Sequence, residues 1–404
     1  MRVSAETDVR SLGAQKLAQA QEFLRDSSLE AWLIAVRESQ ERPDPNLRFF
    51  LDQEFTWNSY FLITPNRAFA LVATFDAPDL GQSGLFDEVR TYKEGARAAL
   101  VELLGQVDPR SIGINVSQDD ALADGLTAGL HDHLRETLAG TPYAARLQSA
   151  ERFLALLRGV KLSGERTLIA RAVTETEQMF DRVSREFCVG MTERQIAERF
   201  HGEADRAGCP TAWSRRHCPT VTAGAKSPVG HVRPGDEAIR KGSVIHVDFG
   251  IARDGYCSDL QRVWYAAADG EGVAPDAVLR AYAAIVESIE LAAKALLPGV
   301  AGWEVDKKVR DHLASLGYPE YAHALGHHLG RAVHDGGGVL GPRWERYGKA
   351  PYETVREGSV YTLEPSVHLP EHGLVSLEED VVVGPRGAEF LSRFPRKLPI
   401  LTLR

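Results

Sequence analysis

The sequence predicts an α+β chain of two domains, the larger one built from two related halves. Three observations carry this. A chain of 404 residues is too long for one small core. Its first part alternates strand-like and helix-like stretches, whereas the rest opens with long helices and continues into strands. Residues 240–248, Arg-Lys-Gly-Ser-Val-Ile-His-Val-Asp, are echoed at 356–364, Arg-Glu-Gly-Ser-Val-Tyr-Thr-Leu-Glu, and each run closes on an acid. The expected domains are a small α/β domain over 1–155 and a larger domain over 156–404.

In the small domain, helical periodicity over 14–26 precedes a buried strand over 29–36. Residues 37–48 hold three arginines and two prolines without apolar periodicity, which predicts a mobile loop. A hairpin follows, 59–64 with 67–74 across Pro65-Asn66, then a strand at 88–92, a helix at 95–105 and a strand at 112–116. No catalytic motif stands out there. Residues 152–161 read as the connection to the second domain.

The second domain begins with an apolar helical stripe over 164–187. Thr192 with Gln195 forms a capping box for a helix to about 206. Helices are expected over 274–297, closed by Pro298-Gly299, and over 302–315. Residues 244–264 alternate apolar and polar positions on both sides of Arg253-Asp254-Gly255, which predicts two antiparallel strands with Asp-Gly at the turn.

Composition removes several classes of function. Net charge is -9 and no long basic run occurs, so nucleic acid and acidic membranes are not expected partners. No apolar stretch reaches the roughly 20 residues of a membrane span. The N-terminus shows no signal-peptide core. Cys188, Cys209, Cys218 and Cys257 form no Cys-x-x-Cys pair, which fits free thiols in a reducing cytoplasm.

The chemistry concentrates in the paired halves. Asp248 and Asp259 lie in a buried-looking hairpin, where unneutralised acids are costly. The second half offers Glu364 and the Glu378-Glu379 pair. Alternate residues of a strand share a face, which groups Asp248 with His246, Asp259 with Gln261, Glu364 with Thr362, and Glu378 with Ser376 and Asp380. Four converging carboxylates would repel unless cations neutralised them, and two divalent ions balance their charge. An oxygen-rich site with one nitrogen suits Mn²⁺ first, with Co²⁺, Zn²⁺ or Fe²⁺ as alternatives. The nitrogen is expected from the segment holding His323, His327, His328 and His334. Intervals of four and seven would put three of them on one face of a helix, but Gly326 and Gly330 argue against a regular one.

These motifs resemble the pita-bread metallopeptidases, in the branch of prolidase (Xaa-Pro dipeptidase) and aminopeptidase P. The resemblance covers about 160–404 strongly and 1–155 weakly, as a creatinase-type N-terminal domain. It rests on the two aspartates in Gly255-Tyr256-x-Ser258-Asp259 context, on His323-x-x-x-His327-x-Leu-Gly, on Glu364-Pro365 and on Leu377-Glu378-Glu379-Asp380. The resemblance implies the pita-bread fold with pseudo-two-fold halves and a dinuclear centre of Asp248, Asp259, His327, Glu364 and Glu378. It also implies His231 and His334 beside the substrate, His323 among the substrate-binding residues, and Glu364 as a possible proton acceptor. The implied reaction is hydrolysis of the Xaa-Pro bond by a metal-bridging hydroxide, in a cytoplasmic homodimer acting on small peptides. A dipeptidase is expected first and aminopeptidase P second. A phosphoesterase lacks a phosphate cradle here, and a non-catalytic binding protein on the same fold is the remaining rival.

Two positions depart from the family pattern. Gln261 stands where the family usually has Thr, and Ser376 where this branch usually has an arginine. A dipeptidase needs a cation for the substrate carboxylate. The expected replacement comes from Arg37, Arg42 or Arg48, with Arg48 first.

Overall fold

The computed structural model describes residues 2–230 and 232–403, and for residues 2–11 the backbone alone. The chain divides into two compact units, Met1–Arg158 and Gly159–Arg404.

In the first unit a six-stranded mixed sheet runs in the order Glu88–Tyr92, Ala68–Ala73, Ser59–Ile63, Ala31–Val36, Ile112–Ile114, Leu147–Ser149. The central strands are buried on both faces because their residues alternate between two cores. Trp32, Ile34, Phe61 and Val72 pack with Leu17, Leu24 and Leu157 from the helices Arg2–Arg25 and Glu151–Gly159. Leu33, Tyr60, Leu62 and Leu71 pack with Leu100, Leu104, Leu130 and Leu134 from Arg97–Val107 and Ala128–Leu138.

Three features of this unit differ from the sequence reading. Residues 37–48 are anchored rather than loose. Asp44 is buried, accepts from the Asn46 and Leu47 amides at 2.8 and 3.0 Å, and accepts from Asn115 Nδ2 at 2.7 Å. Asn115 in turn accepts from Trp32 Nε1 at 2.6 Å. Residues 152–161, expected as a connection, lie largely in the helix Glu151–Gly159, since Phe153, Leu154 and Leu157 fill the core. The helix Ala128–Leu138 is additional to the expected elements, and its buried Leu130, Leu134 and Leu138 form an i, i+4, i+8 stripe.

The second unit repeats one order of elements. Helices Ser163–Val183 and Glu193–Ala207 precede strands Thr220–Ala223, Ser243–Phe249 and Leu260–Ala266. Helices Asp276–Ala295 and Gly302–Ser315 precede strands Val360–Leu363, Ser366–Leu369, Gly373–Ser376 and Glu379–Gly384. Thr192 and Gln195 do form the capping box. Val278, Ile285 and Ile289 of Asp276–Ala295 pack with Val244, Val263, Leu363 and Val381, so strands of both halves share one core. The halves meet at a bridge between Gln261 and Glu378. None of the described helices is long and apolar enough to cross a membrane.

Candidate metal centre

The first hairpin brings its acids together by register. Asp254 and Gly255 both take positive φ, 51° and 79°, as the two-residue turn requires. Ala252–Arg253 then pairs with Tyr256–Cys257, and Ser243–Phe249 with Leu260–Ala266. Asp248 falls opposite Gln261, so both project to one face. Asp259 follows the short pair, and the charge of Asp248 is among the neighbouring carboxylates that raise its pKa. Its own amide donates to Asp380 Oδ2 at 3.1 Å.

In the second half Leu363 pairs with Glu379 and Thr362 with Asp380. Extending that register places Glu364 across from Glu378. The Glu364 amide donates to Leu325 O at 2.8 Å and the His327 amide to Thr362 Oγ1 at 3.2 Å, which ties the histidine segment to this strand. His327 is extended, not helical: Gly326–His327 pairs with Val339–Leu340. A Cβ on Gly326 would lie 1.9 Å from Thr362 O, so only glycine permits the approach.

Three ligand atoms, from Asp259, His327 and Glu378, lie within 4.8 Å of one another. His327 Nε2 is 3.6 Å from Asp259 Oδ2, 3.8 Å from Glu364 Oε1 and 3.9 Å from Glu378 Oε1. His327 Nδ1 is 3.1 Å from His328 O. A carbonyl only accepts, so Nδ1 carries the proton and the Nε2 lone pair faces the carboxylates. Burial pushes the His327 pKa down to about 3, with His334 adding to the shift. Burial raises Asp248 to about 7. Burial, then neighbouring carboxylates, raises Asp259, Glu364 and Glu378 well above the ordinary range.

These residues fit divalent cations. The donors are four carboxylates and one neutral imidazole. Asp248 Oδ1 and Glu378 Oε1 are buried and accept no hydrogen bond, as expected of atoms shaped for a cation.

The other expected residues fall as follows. His334 lies edge-on to His327 with ring centroids 4.3 Å apart. Its loop is closed by Asp335, which forms a fully buried ion pair with Lys161 at 3.0 Å and accepts from the Ala332 amide. His323 has both nitrogens engaged. Nδ1 donates to Ala324 O and Nε2 accepts from Ser366 Oγ, each at 2.8 Å, and the ring leans on Tyr321. Ser376 lies opposite Ser366, but its hydroxyl donates to Pro365 O at 3.0 Å. Arg48 is an exposed residue on the turn Leu47–Phe49 of the first unit. His231 lies outside the described residues.

Three supports escaped the sequence reading. Arg262 reaches Glu379 with both Nη atoms, at 2.9 and 3.3 Å, and donates to the carbonyls of Gln261 and Glu378. It braces the two ligand-bearing strands from behind. The signal was an arginine inside an apolar strand and an extra glutamate beside Glu378. Asp306 and Arg310 of Gly302–Ser315 fasten the histidine segment: Arg310 donates to the carbonyls of Tyr321 and His323, and Asp306 accepts from the Leu325 amide. The third lies in the contacts of Gln261, which its position in the sequence does not reveal. Its Nε2 donates to Glu378 Oε2 at 2.9 Å and lies 3.4 Å from Glu364 Oε2, while Oε1 meets His246 Nε2 at 2.9 Å.

Comparison with known proteins agrees with this geometry. Residues 167–385 match the model of metallopeptidase family M24. An uncharacterised peptidase of Bacillus subtilis is 28% identical over 246 residues, which are 61% of this chain and 65% of that protein, just under two thirds. A Xaa-Pro dipeptidase of Pyrococcus horikoshii is 23% identical over 385 residues, 95% of this chain and 98% of the relative. The crystal structure of an X-Pro aminopeptidase from Thermotoga maritima superposes with a TM-score of 0.71 at 24% identity, covering 96% of this chain and 99% of that one. The chain belongs to metallopeptidase family M24. The expected pita-bread fold and metallopeptidase class are borne out.

Proposed function

We propose that the chain hydrolyses the peptide bond preceding proline, using two divalent metal ions held by Asp248, Asp259, His327, Glu364 and Glu378. The observation that carries this reading is the convergence of the His327 Nε2 lone pair on three carboxylates, with buried carboxylate oxygens that no protein donor satisfies. Relatives named Xaa-Pro dipeptidase and X-Pro aminopeptidase support the choice of bond. The oxygen-rich donor set favours Mn²⁺, with Co²⁺ or Zn²⁺ as substitutes. Bound divalent ions would supply Lewis acidity, polarising the scissile carbonyl and making water nucleophilic near neutrality.

The chain's own residues handle protons and orientation. Hydrolysis places the water oxygen on the carbonyl carbon and a proton on the departing prolyl nitrogen. Glu364, whose Oε1 lies 3.8 Å from His327 Nε2 at the shared centre, is assigned the water's proton. His334 and His231 are assigned to the substrate backbone and the developing oxyanion. His323 has both nitrogens engaged, so it offers the substrate its ring face. A proline ring, apolar and without an amide N–H, suits such a wall.

A dipeptidase is the first reading. Aminopeptidase P on longer peptides is the second, and Ser376 favours it: a hydroxyl occupied by Pro365 O offers no cation for a terminal carboxylate. If the enzyme is a dipeptidase, Arg48 is the proposed carboxylate cap. Arg48→Ala should then raise KM on dipeptides, and unchanged kinetics would remove Arg48 from the site. The reading also carries a cytoplasmic homodimer, which light scattering on the purified protein checks for subunit number. The test of function is a panel of Xaa-Pro, Xaa-Pro-Yaa and Xaa-Pro-Yaa-Zaa peptides with Mn²⁺ added. Cleavage of the dipeptide alone supports the first reading, and cleavage of the longer peptides alone the second. No cleavage before proline in any of them rejects both.

A further inference from the structure

We propose that Gln261 is a positioning residue for the metal centre, a carboxamide that sorts the oxygens of Glu364 and Glu378 and is itself oriented by the buried His246. This rests on the metal-centre reading above.

The carboxamide stands where the two halves of the second unit meet. Gln261 belongs to the first half and both glutamates to the second. Its backbone already bridges to Glu378, N to O at 3.4 Å and O to N at 3.3 Å. Its Nε2 has two N–H groups and two carboxylates to serve, Glu378 Oε2 at 2.9 Å and Glu364 Oε2 at 3.4 Å. A hydroxyl has one proton and could serve only one of them.

Both contacts fall on Oε2. The opposite oxygens, Glu378 Oε1 and Glu364 Oε1, are the ones 3.9 and 3.8 Å from His327 Nε2. The amide therefore holds one oxygen of each glutamate and leaves the other turned toward the shared centre. Without it each carboxylate could rotate, and the presented oxygen would change.

His246 removes the remaining freedom. Ionised carboxylates only accept hydrogen bonds, so Nε2 of Gln261 must face them and Oε1 must face His246 Nε2, which donates. A flipped amide would set its oxygen against two carboxylates and its N–H groups against the imidazole N–H. His246 is 2% exposed and pairs across the sheet with Val263 and Thr222, so its ring is held by packing. Partners of this kind, one shell outside a metal, are worth ~10–100-fold in metal affinity or activity.

The test uses the full chain with Mn²⁺, followed by calorimetric titration, by the electron paramagnetic resonance signal of coupled Mn²⁺ pairs, and by steady-state kinetics. The wild type should bind two Mn²⁺ per chain. Gln261→Ala should weaken at least one site by ~10–100-fold, diminish the coupled signal and lower kcat more than it raises KM. Gln261→Glu keeps the acceptor toward His246 and loses the donors, so it should share the defect; being isosteric, it carries the test if the alanine variant does not fold. His246→Phe should give a smaller loss that disappears in the Gln261→Ala background, whereas a general loss of stability would add. Wild-type binding of two ions with unchanged affinity, signal and kinetics in both Gln261 variants overturns the proposal. A wild type that binds no metal overturns the metal-centre reading itself.

Discussion

Stripping the metals should make stability fall as pH rises through neutrality. Burial lifts the Asp248 carboxyl to about 7, well above the ordinary carboxylate range. The sign follows from linkage. A carboxyl whose folded pKa is raised holds its proton in the native state, and the stability this contributes is lost as pH climbs through the folded pKa. Between pH 6.5 and pH 8.5 the unfolded carboxyl is fully ionised, while folded Asp248 goes from mostly protonated to ionised. For a pKa near 7, the change over this window is ~0.8 kcal/mol, most of this carboxyl's loss having accrued below pH 6.5. Asp259, Glu364 and Glu378 shift in the same direction and deepen the loss. His327 and His246, lowered to about 3 and 4 by burial, act oppositely, but chiefly below pH 6.5, where the unfolded imidazole gains its proton. Metal-loaded protein should show little of this slope, because bound cations ionise the carboxylates throughout. Equilibrium urea unfolding at several pH values, with chelator or with saturating Mn²⁺, measures it. Chelated and loaded protein changing in parallel from pH 6.5 to pH 8.5, or chelated protein gaining stability, would refute the reasoning.

Further outcomes follow from the supports around the centre. Arg262→Met should cost ~3–5 kcal/mol, since it strands Glu379 as a buried charge, and Glu379→Gln in the same chain should restore part of it; urea midpoints report both. Gly326→Ala should abolish tight Mn²⁺ binding, because its Cβ would displace the Thr362 carbonyl and with it the strand leading to Glu364; calorimetry reports this. Asp306→Asn should loosen the 321–325 segment and raise KM for Xaa-Pro peptides, while the stoichiometry of bound metal stays at the wild-type value.

Much of this centre is legible along the chain, and the limits have physical causes. The hairpin around Asp248 and Asp259 can be read because a turn is a local event: Asp254-Gly255 forces it, and register then decides which side chains converge. The repeat at 356–364 extends that logic to Glu364. Gly326 and Gly330 speak against a regular helix around His327, as the structure bears out, but its extended pairing depends on Val339–Leu340, Thr362 and Leu325, which the local spacing does not reveal. The same holds for residues 37–48. Their composition describes a loose loop, but Asp44 is captured by Asn115, distant in sequence. Arg262 and Gln261 are adjacent and project to opposite faces. One braces Glu379 from behind and the other meets Glu378 and Glu364 in front, and neither role shows without the partner strand. His231, which the resemblance sets beside the substrate, lies outside the described residues.

The most direct test of the central claim is a crystal structure of the protein soaked in Mn²⁺, with anomalous scattering recorded at the manganese edge. Two anomalous peaks enclosed by Asp248, Asp259, His327, Glu364 and Glu378 are the predicted result. Peaks elsewhere on the chain, or none at full soaking, would contradict it.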